Sequence, residues 1–144
     1  MFTVEASAHI DAKPEQVFAF LTDQHNAPRW LPSMMEVGDI EGEGVGRTFT
    51  WVYKLAGLKI HGASKVIEMT PCSRYATQNI KGANSTWRYA LTPEKAGTTL
   101  TITVVYEIPV PVIGKIAELI LERQNQREIE LAVENIRALV EHGG

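Results

Sequence analysis

The stretch TTLTITVVYEIPVPVIGK, residues 98–115, marks the point where a strand gives way to a helix. Apolar and polar residues alternate through residues 98–108, which predicts a β-strand with one buried face. Pro109 and Pro111 then end the strand, because proline cannot donate a hydrogen bond to a sheet ladder. Residues 112–142 contain no proline and are rich in helix-forming side chains. The sequence therefore predicts a long C-terminal helix after the last strand.

The beginning of the chain shows a strand pattern followed by helix signals. Residues 2–11 alternate strictly between apolar and polar types, as in a half-buried strand. Pro14 suits the first position of a helix, and Glu15 beside it complements the helix dipole. Pro28 and Pro32 limit any second helix to a brief one. We therefore expect a first strand and two short helices before the rest of the sheet.

Turn signals divide the middle of the chain into further strands. The glycine-rich segment 42–46 precedes strand-forming residues and not a helix, so it is predicted to be a hairpin and not a phosphate-binding loop. Similar turn signals recur at residues 56–57, 70–72, 81–84 and 93–97. These turns predict an antiparallel meander of six strands. The whole chain, residues 1–144, is predicted to be one α+β domain.

Charge and cysteine content restrict the partners and the compartment. Fourteen Lys and Arg against 17 Asp and Glu give a net charge of −3, which offers no attraction for nucleic acid or an anionic membrane. The most apolar stretch, residues 108–121, is broken by prolines and charges and is too short to span a bilayer. Cys72 is the single cysteine, so no intramolecular disulfide can form. We expect a cytoplasmic protein that is a monomer or a weak homodimer.

Sequence patterns for metal binding and covalent catalysis are missing. The chain contains no HExxH, HxH or paired Cys and His spacing, so no metal site is predicted. No GxSxG or other nucleophile context accompanies its serines. The prediction is therefore a protein without metal, cofactor or covalent intermediate.

Several short motifs occur in an order that resembles a known superfamily. They are IDAKPEQVF at 10–18, PRW at 28–30, the glycine hairpin at 42–46, VIEMTP at 66–71 and the helix at 129–141. Together they resemble the START-like, or birch-pollen-allergen-like, superfamily (SRPBCC) over essentially the whole chain. The branch they resemble most is that of polyketide cyclases, dehydrases and lipid transport proteins.

This resemblance implies a helix-grip fold with a ligand cavity. In such a fold a curved antiparallel sheet of seven strands wraps the long C-terminal helix, and two short helices follow the first strand. The space between sheet and helix is used for lipids, polyketides and other apolar molecules. A shared fold does not by itself define a function, so the side chains have to be considered individually.

Strand alternation groups aromatic side chains that are expected to face the inside of the sheet. Trp51 and Tyr53 share one face of the third strand, and Trp87 and Tyr89 share one face of the sixth. Ordinary core packing is the alternative, but the resemblance favours a cavity wall whose phenols provide polar groups. The predicted ligand-binding residues are Trp51, Tyr53, Ser64, Trp87, Tyr89, Ile102, Val104, Tyr106, Ile120 and Gln124.

Candidate proton-transfer groups are Tyr53 and His61. A two-residue loop at residues 56–57 pairs Leu55 with Leu58 and turns His61 outward, whereas a three-residue loop reverses the register and brings His61 beside Tyr53. The outward register is favoured. A role for His61 as a general base requires the other register, which a three-residue loop would give.

The two short helices carry His25 and Trp30, near where this fold usually opens. Either residue could contact a ligand at the entrance. The alternative for Trp30 is that it fills the seam between helix and sheet.

The C-terminal helix carries two apolar stripes that point in different directions. At 100° per residue, Ile113, Ile116 and Ile120 lie on one side. Nearly opposite lie Ile129, Val133, Ile136 and Val140. The polar run 122–128 between them is expected to bend, to break or to pass over something not fully packed. If the helix is continuous, the side that bears the first isoleucines faces the sheet, and Arg127 lies at the cavity mouth or binds an acidic ligand group. If the helix bends, the whole polar run is exposed to water.

Three functions are compatible with these patterns. The leading hypothesis is a binding protein for an apolar or amphipathic small molecule such as a lipid or polyketide. The second is a cyclase or dehydratase that uses the same cavity. The third is a protein-interaction module, which would require a large apolar outer face, and the sequence shows no clear sign of one.

Overall fold

The computed structural model describes residues 1–55, 57–107 and 114–143. The elements follow in the order β1 (Phe2–Ile10), α1 (Pro14–Thr22), a 3-10 turn (Gln24–Asn26), α2 (Ala27–Trp30), β2 (Met34–Glu41), β3 (Thr48–Leu55), β4 (Leu58–Thr70), β5 (Arg74–Lys81), β6 (Ser85–Glu94), β7 (Gly97–Tyr106) and α3 (Lys115–Glu141). The predicted α+β order is confirmed: one strand, short helices, six further strands and a long helix.

Across the described residues, seven strands form one curved antiparallel sheet. The strand order is β1-β7-β6-β5-β4-β3-β2, so β1 pairs with the last strand and the remainder is a meander. Register shifts interrupt the β2–β3 and β4–β5 pairs, and such bulges bend a strand and increase its twist. Helix α3 packs mainly against β1, while α2 packs against α3 and β2. This is the helix-grip arrangement expected from the sequence.

The core lies where the second half of α3 meets the sheet. Ile129, Ala132, Val133 and Ile136 are all buried, and their spacing of three and four residues places them on one face of the helix. They belong to the same cluster as strand residues such as Ile102, which is completely buried. Each large aliphatic side chain buried in this way contributes roughly 1.5–3 kcal/mol.

The first half of α3 decides between alternatives that the sequence left open. The helix is continuous from Lys115 to Glu141, so it does not break within residues 122–128, and Asn125 of this run lines a pocket, as expected for a passage over incompletely packed space. The side bearing Ile116, Ile120 and Arg127 does not face the sheet, since all three residues are exposed. The physical reason is that burial of the Ile129 stripe sets the rotation of the whole helix. Ile113, the first member of the other stripe, and residue 112, the predicted helix start, lie outside the described residues, as does Ile108 at the predicted end of β7.

Candidate functional site

A pocket of about 120 Å³ lies between the inner face of the sheet and the helices α2 and α3. Its walls are mostly apolar and aromatic, and all three tryptophans of the chain, Trp30, Trp51 and Trp87, line it. Of the residues predicted from the sequence, those that line the pocket are Trp51, Tyr53, Ser64, Trp87, Tyr89, Val104 and Tyr106. The site is therefore built largely from alternate residues of the central strands.

Three predicted site residues lie elsewhere. Ile102 is completely buried in the hydrophobic core and does not line the pocket. Ile120 has 51% of its surface exposed, and Gln124 is exposed as well. Both belong to the side of α3 that the Ile129 stripe turns away from the sheet. Neither residue lines the pocket in the described part of the chain.

The β3–β4 register places His61 outside the site. Leu55 pairs with Leu58 and Tyr53 with Ile60, which is the register of a two-residue turn. His61 pairs with Val52 and is exposed, on the strand face opposite to Ser64. The predicted outward direction of His61 is confirmed, and an imidazole base in this pocket is contradicted. Ala56, within the turn, lies outside the described residues.

A hydrogen-bonded chain of side chains fixes Trp51 at one end of the pocket. The indole Nε1 of Trp51 donates to Ser64 Oγ at 2.9 Å, and the Ser64 hydroxyl donates to Asn79 Oδ1 at 2.9 Å. Asn79 in turn donates to the carbonyl of Ala83. A Cβ at Gly62, which pairs with Trp51, would lie 2.4 Å from the Trp51 ring, so the glycine makes room for the indole. These polar atoms satisfy one another and position the wall.

Tyr53 joins the sheet to α3 through Glu128. The Tyr53 hydroxyl donates to Glu128 Oε2 at 2.5 Å, and the backbone N–H of Ser33 donates to Glu128 Oε1 at 2.6 Å. Burial, followed by the nearby Glu128 charge, raises the pKa of Tyr53 well above its ordinary value. The phenol therefore remains neutral. Its proton is committed to Glu128, and a hydrogen bond from the Ser33 side chain to the phenol partly opposes the rise in pKa.

Tyr106 has the opposite hydrogen-bonding polarity. Its oxygen accepts from Asn125 Nδ2 at 2.9 Å, so its own proton is free to be donated. Burial is the main cause that raises the pKa of Tyr106, and the Asn125 hydrogen bond opposes that shift. On the side of the pocket next to α3, Tyr106 can therefore act as a donor, whereas the Tyr53 hydroxyl is engaged by Glu128 and Ser33.

The deep part of the pocket contains polar groups with fewer partners. Burial raises the pKa of Tyr89 well above its usual value, and no hydrogen bond contributes to the shift. The neighbouring Tyr75, whose ring centroid is 5.3 Å from that of Tyr89, accepts a hydrogen bond from Gln24. Its pKa is also raised, chiefly by burial. Both phenols are therefore neutral.

Trp30 fills the seam between α2 and the sheet, and it also lines the pocket. It is only 4% exposed and packs edge-on against Tyr89, with ring centroids 6.3 Å apart. Its indole Nε1 is the one buried side-chain polar atom without a hydrogen-bond partner in the described residues. His25 is exposed and contacts Asp23 at 3.2 Å, so it does not share this environment.

The site has almost no charge of its own. Among its described lining residues Glu107 is the single charged one, and Lys, Arg and His are missing from the lining. Glu128, the other nearby carboxylate, is held by Tyr53 and Ser33. No group of three His, Cys, Asp or Glu side chains in the described ranges is arranged to hold a metal ion. The described lining therefore offers no cationic side chain to an anionic ligand.

Sequence reasoning missed the contribution of α3 to the site. Asn125 and Glu128 lie in the polar run and face the sheet, as do the buried residues that follow them. Counting back from Ile129 by four and from Ala132 by four reaches these two positions, so the helical period contained the signal. This signal was overlooked because the isoleucine stripe at the start of α3 suggested a different rotation of the helix about its axis.

The chain belongs to the family described as polyketide cyclase / dehydrase and lipid transport, whose model matches residues 1–141. No curated protein matches it. Among solved structures, it is similar to a protein of Thermus thermophilus, with 20% identity, 99% of each chain covered and a TM-score of 0.87. A START superfamily protein from Mycobacterium smegmatis shares 16% identity, with 99% of each chain covered and a TM-score of 0.81.

The Zhui aromatase/cyclase of a Streptomyces species is a further structural relative. It shares 16% identity with this chain, 98% of this chain and 94% of that one are covered, and the TM-score is 0.78. At this level of identity these neighbours share the fold with the present chain. Within the described residues, no helix is both long and apolar enough to cross a membrane.

Proposed function

We propose that this protein binds a small apolar or amphipathic molecule in the pocket between the sheet and α3. The observation that supports the proposal most directly is the composition of the walls, which combine three tryptophans with a few polar groups. That combination is typical of small-molecule sites. The proposed contacts are Trp51, Tyr53, Ser64, Trp87, Tyr89, Val104 and Tyr106. The cytoplasmic location expected from the single Cys72 is part of the same proposal.

The size of the pocket limits how much binding energy apolar burial can supply. An aromatic ring buries about 150–250 Å², which at about 25 cal/mol per Å² stabilises a complex by about 4–6 kcal/mol before association costs. Those costs are of similar magnitude. Apolar burial alone therefore supports weak binding, and the polar groups of the pocket are needed for affinity and orientation.

An enzyme that uses the same pocket is the second candidate, and the Tyr53–Glu128 contact is the observation that favours it. A phenol joined to a carboxylate can relay a proton to or from a bound molecule. Against this, burial raises the pKa of Tyr53, and His61 is exposed on the other face of the sheet. The variant Glu128→Gln separates the two functions. If the protein is an enzyme, it converts its ligand to a product and the variant loses this product formation. If it is a binding protein, the ligand is recovered with its covalent structure unchanged from both proteins.

The proposal is tested by asking what occupies the pocket and whether blocking it prevents binding. Native mass spectrometry of the purified protein identifies any retained organic molecule. Isopropylbenzene, a neutral apolar probe, is expected to shift the NMR signals of the three indole N–H groups, because all three rings line the pocket. Unchanged indole signals at saturating probe contradict the proposal.

A matched pair of variants locates the site. Ser85 lines the pocket, while Thr86 follows it on β6 and points to the other face of the sheet. Ser85→Phe is therefore expected to abolish the probe-induced shifts, and Thr86→Phe to leave them intact. Equal effects of the two substitutions contradict binding in this pocket.

A further inference from the structure

One of the side chains that line the pocket, Trp30, carries a buried hydrogen-bond donor without a partner among the described residues. The indole Nε1 of Trp30 is buried and has no partner in the described part of the chain. A buried donor left unpaired is destabilising, because it has lost its hydrogen bonds to water. The indole of Trp51, in the same pocket, shows the usual arrangement, since it donates to Ser64 at 2.9 Å. Of the two indoles, the one of Trp30 is therefore the donor that can still be paired by a bound molecule.

The position of Trp30 is fixed independently of any ligand. Asn135 of α3 donates to the backbone carbonyl of Trp30 at 3.1 Å, and the Tyr89 ring packs against the indole at an interplanar angle of 89°. An indole held at its backbone and at its ring face is a preorganised donor. An indole N–H can only donate, so its partner must carry an acceptor oxygen or nitrogen.

The charge of the lining restricts the acceptor to neutral groups. A carboxylate that entered would lose its hydration and meet no Lys, Arg or His among the described lining residues. It would instead approach Glu107 and the nearby Glu128. Both effects disfavour fatty acids and other anions. A carbonyl oxygen accepts a hydrogen bond without this penalty.

The aromatic walls and the volume restrict the rest of the ligand. Trp87 and Tyr89 stack with ring centroids 6.4 Å apart, and Trp30 lies edge-on to Tyr89. Flat surfaces of this kind pack well against a planar ring. The volume of about 120 Å³ is comparable to that of a cavity of roughly 150 Å³ known to hold benzene. One ring therefore fits the described space.

From these observations we infer that the pocket selects an uncharged planar ring bearing a carbonyl-type acceptor, and that Trp30 Nε1–H donates to this acceptor. The inference rests on the proposed function and adds the chemical class of the ligand. Trp30 is a specificity-determining residue in this view. Tyr106, whose proton is free, can donate to a second oxygen of the same ligand.

Three probes of nearly equal shape test the inference at neutral pH. Acetophenone carries the carbonyl, isopropylbenzene replaces it by carbon, and benzoate replaces it by an anion. We expect acetophenone to bind about tenfold more tightly than isopropylbenzene, as one neutral hydrogen bond allows. Benzoate is expected to bind at least about tenfold more weakly than acetophenone. Acetophenone should also move the Trp30 Nε1–H NMR signal downfield, while that of Trp51, already bonded to Ser64, moves less.

Two variants identify the donor. Trp30→Phe should remove the preference for acetophenone over isopropylbenzene and identify the Trp30 indole signal by its disappearance. Trp87→Phe removes another indole from the same pocket and should weaken both probes equally. The shift of the Trp30 signal in the unmodified protein remains a direct test if Trp30→Phe does not fold.

The possible failures can be told apart. Binding of isopropylbenzene and acetophenone with equal affinity, or an unmoved Trp30 signal, overturns the inference and leaves the proposed function standing. Benzoate binding as tightly as acetophenone overturns the restriction to neutral ligands. Failure of all neutral probes to bind overturns the proposed function together with the inference.

Discussion

The two halves of α3, residues 115–128 and 129–141, belong to one uninterrupted helix but contact the sheet in different ways. The second half buries a continuous apolar stripe, represented by Ile129 and Ile136. The first half exposes its large apolar residues, with Ile116 78% exposed, and reaches the sheet through polar side chains such as Glu128. Apolar burial thus anchors the helix at one end, and hydrogen bonds position it over the pocket at the other.

This division lets one helix serve both the fold and the site. A segment with few buried apolar contacts and several partly exposed hydrogen bonds belongs to the less stable part of a protein. The first half of α3 is therefore expected to open more readily than the second half. The exposed isoleucines of that half have no described partner, and nothing in the structure shows what covers them.

The largest expected effect comes from removing one side chain of the buried stripe. Ile136→Ala should lower the free energy of unfolding by about 2–5 kcal/mol, since Ile136 is completely buried. Ile120→Ala, at a position that is 51% exposed, should change it by less than about 0.5 kcal/mol. Urea denaturation of both variants measures the difference. Similar losses would show that the first half of α3 is also buried in solution.

Alkaline pH should destabilise the protein because its buried phenols resist ionisation. Burial raises the pKa of Tyr53, Tyr75 and Tyr89 in the folded state above the unfolded value of about 10. Their contribution is fully present below that value and is lost as pH rises toward the folded pKa. Each phenol that stays protonated lowers the free energy of unfolding by up to about 1.4 kcal/mol per pH unit.

The variant Tyr53→Phe connects this pH dependence to the first half of α3. Removing the phenol that contacts Glu128 should make the free energy of unfolding fall less steeply with rising pH, by the contribution of one titrating group. Urea denaturation between about pH 9 and pH 11 measures this dependence. An unchanged slope means that the Tyr53 hydroxyl is solvated and does not contact the helix.

At neutral pH the same contact predicts an intermediate effect. Tyr53→Phe leaves Glu128 Oε2 without its phenol donor and should lower the free energy of unfolding by about 1–3 kcal/mol. In the double variant with Glu128→Gln, the losses should not be additive, because the two side chains share one interaction. Additive losses in this cycle argue against a direct contact between Tyr53 and α3.

The sheet could be predicted from the sequence because its determinants are local. Alternation, glycine turns and prolines set the strands, and the turn length at residues 56–57 set the direction of His61. The pocket wall followed from the same period of two, as for Trp87 and Tyr89. Ile102 shares that face but is buried in the core and not in the pocket, because alternation predicts the face of a side chain and not its position along the curved sheet.

The helix side of the site could not be predicted in the same way. The helix carries two apolar stripes, and either could in principle pack against the sheet. The rotation of α3 about its axis depends on which stripe is buried in the folded protein. Ile120 and Gln124 were therefore expected in the pocket, whereas Asn125 and Glu128 are the residues that contact its phenols. The unpaired donor of Trp30 depends on three-dimensional packing around it, for which the sequence has no pattern.

The smallest predicted effect compares two adjacent residues of α3. Gln126 binds the backbone of β1 twice: its Oε1 accepts from the N–H of Glu5 at 3.2 Å, and its Nε2 donates to the Glu5 carbonyl at 2.8 Å. These contacts are exposed, so Gln126→Ala should lower the free energy of unfolding by only about 1 kcal/mol. Arg127 is exposed on the neighbouring side of the helix.

Arg127→Ala is therefore the control for Gln126→Ala, and Arg127→Met tests the earlier expectation that this arginine binds an acidic ligand group. Neither Arg127 substitution should change urea denaturation, and Arg127→Met should leave the ratio of acetophenone to benzoate affinity unchanged. Gln126→Ala should increase amide hydrogen exchange within residues 115–128 more than within residues 129–141, because it releases only the half of α3 that hydrogen bonds hold. Equal increases in both halves would mean that the helix opens as one unit, and the distinction between an anchored half and a positioned half would be wrong.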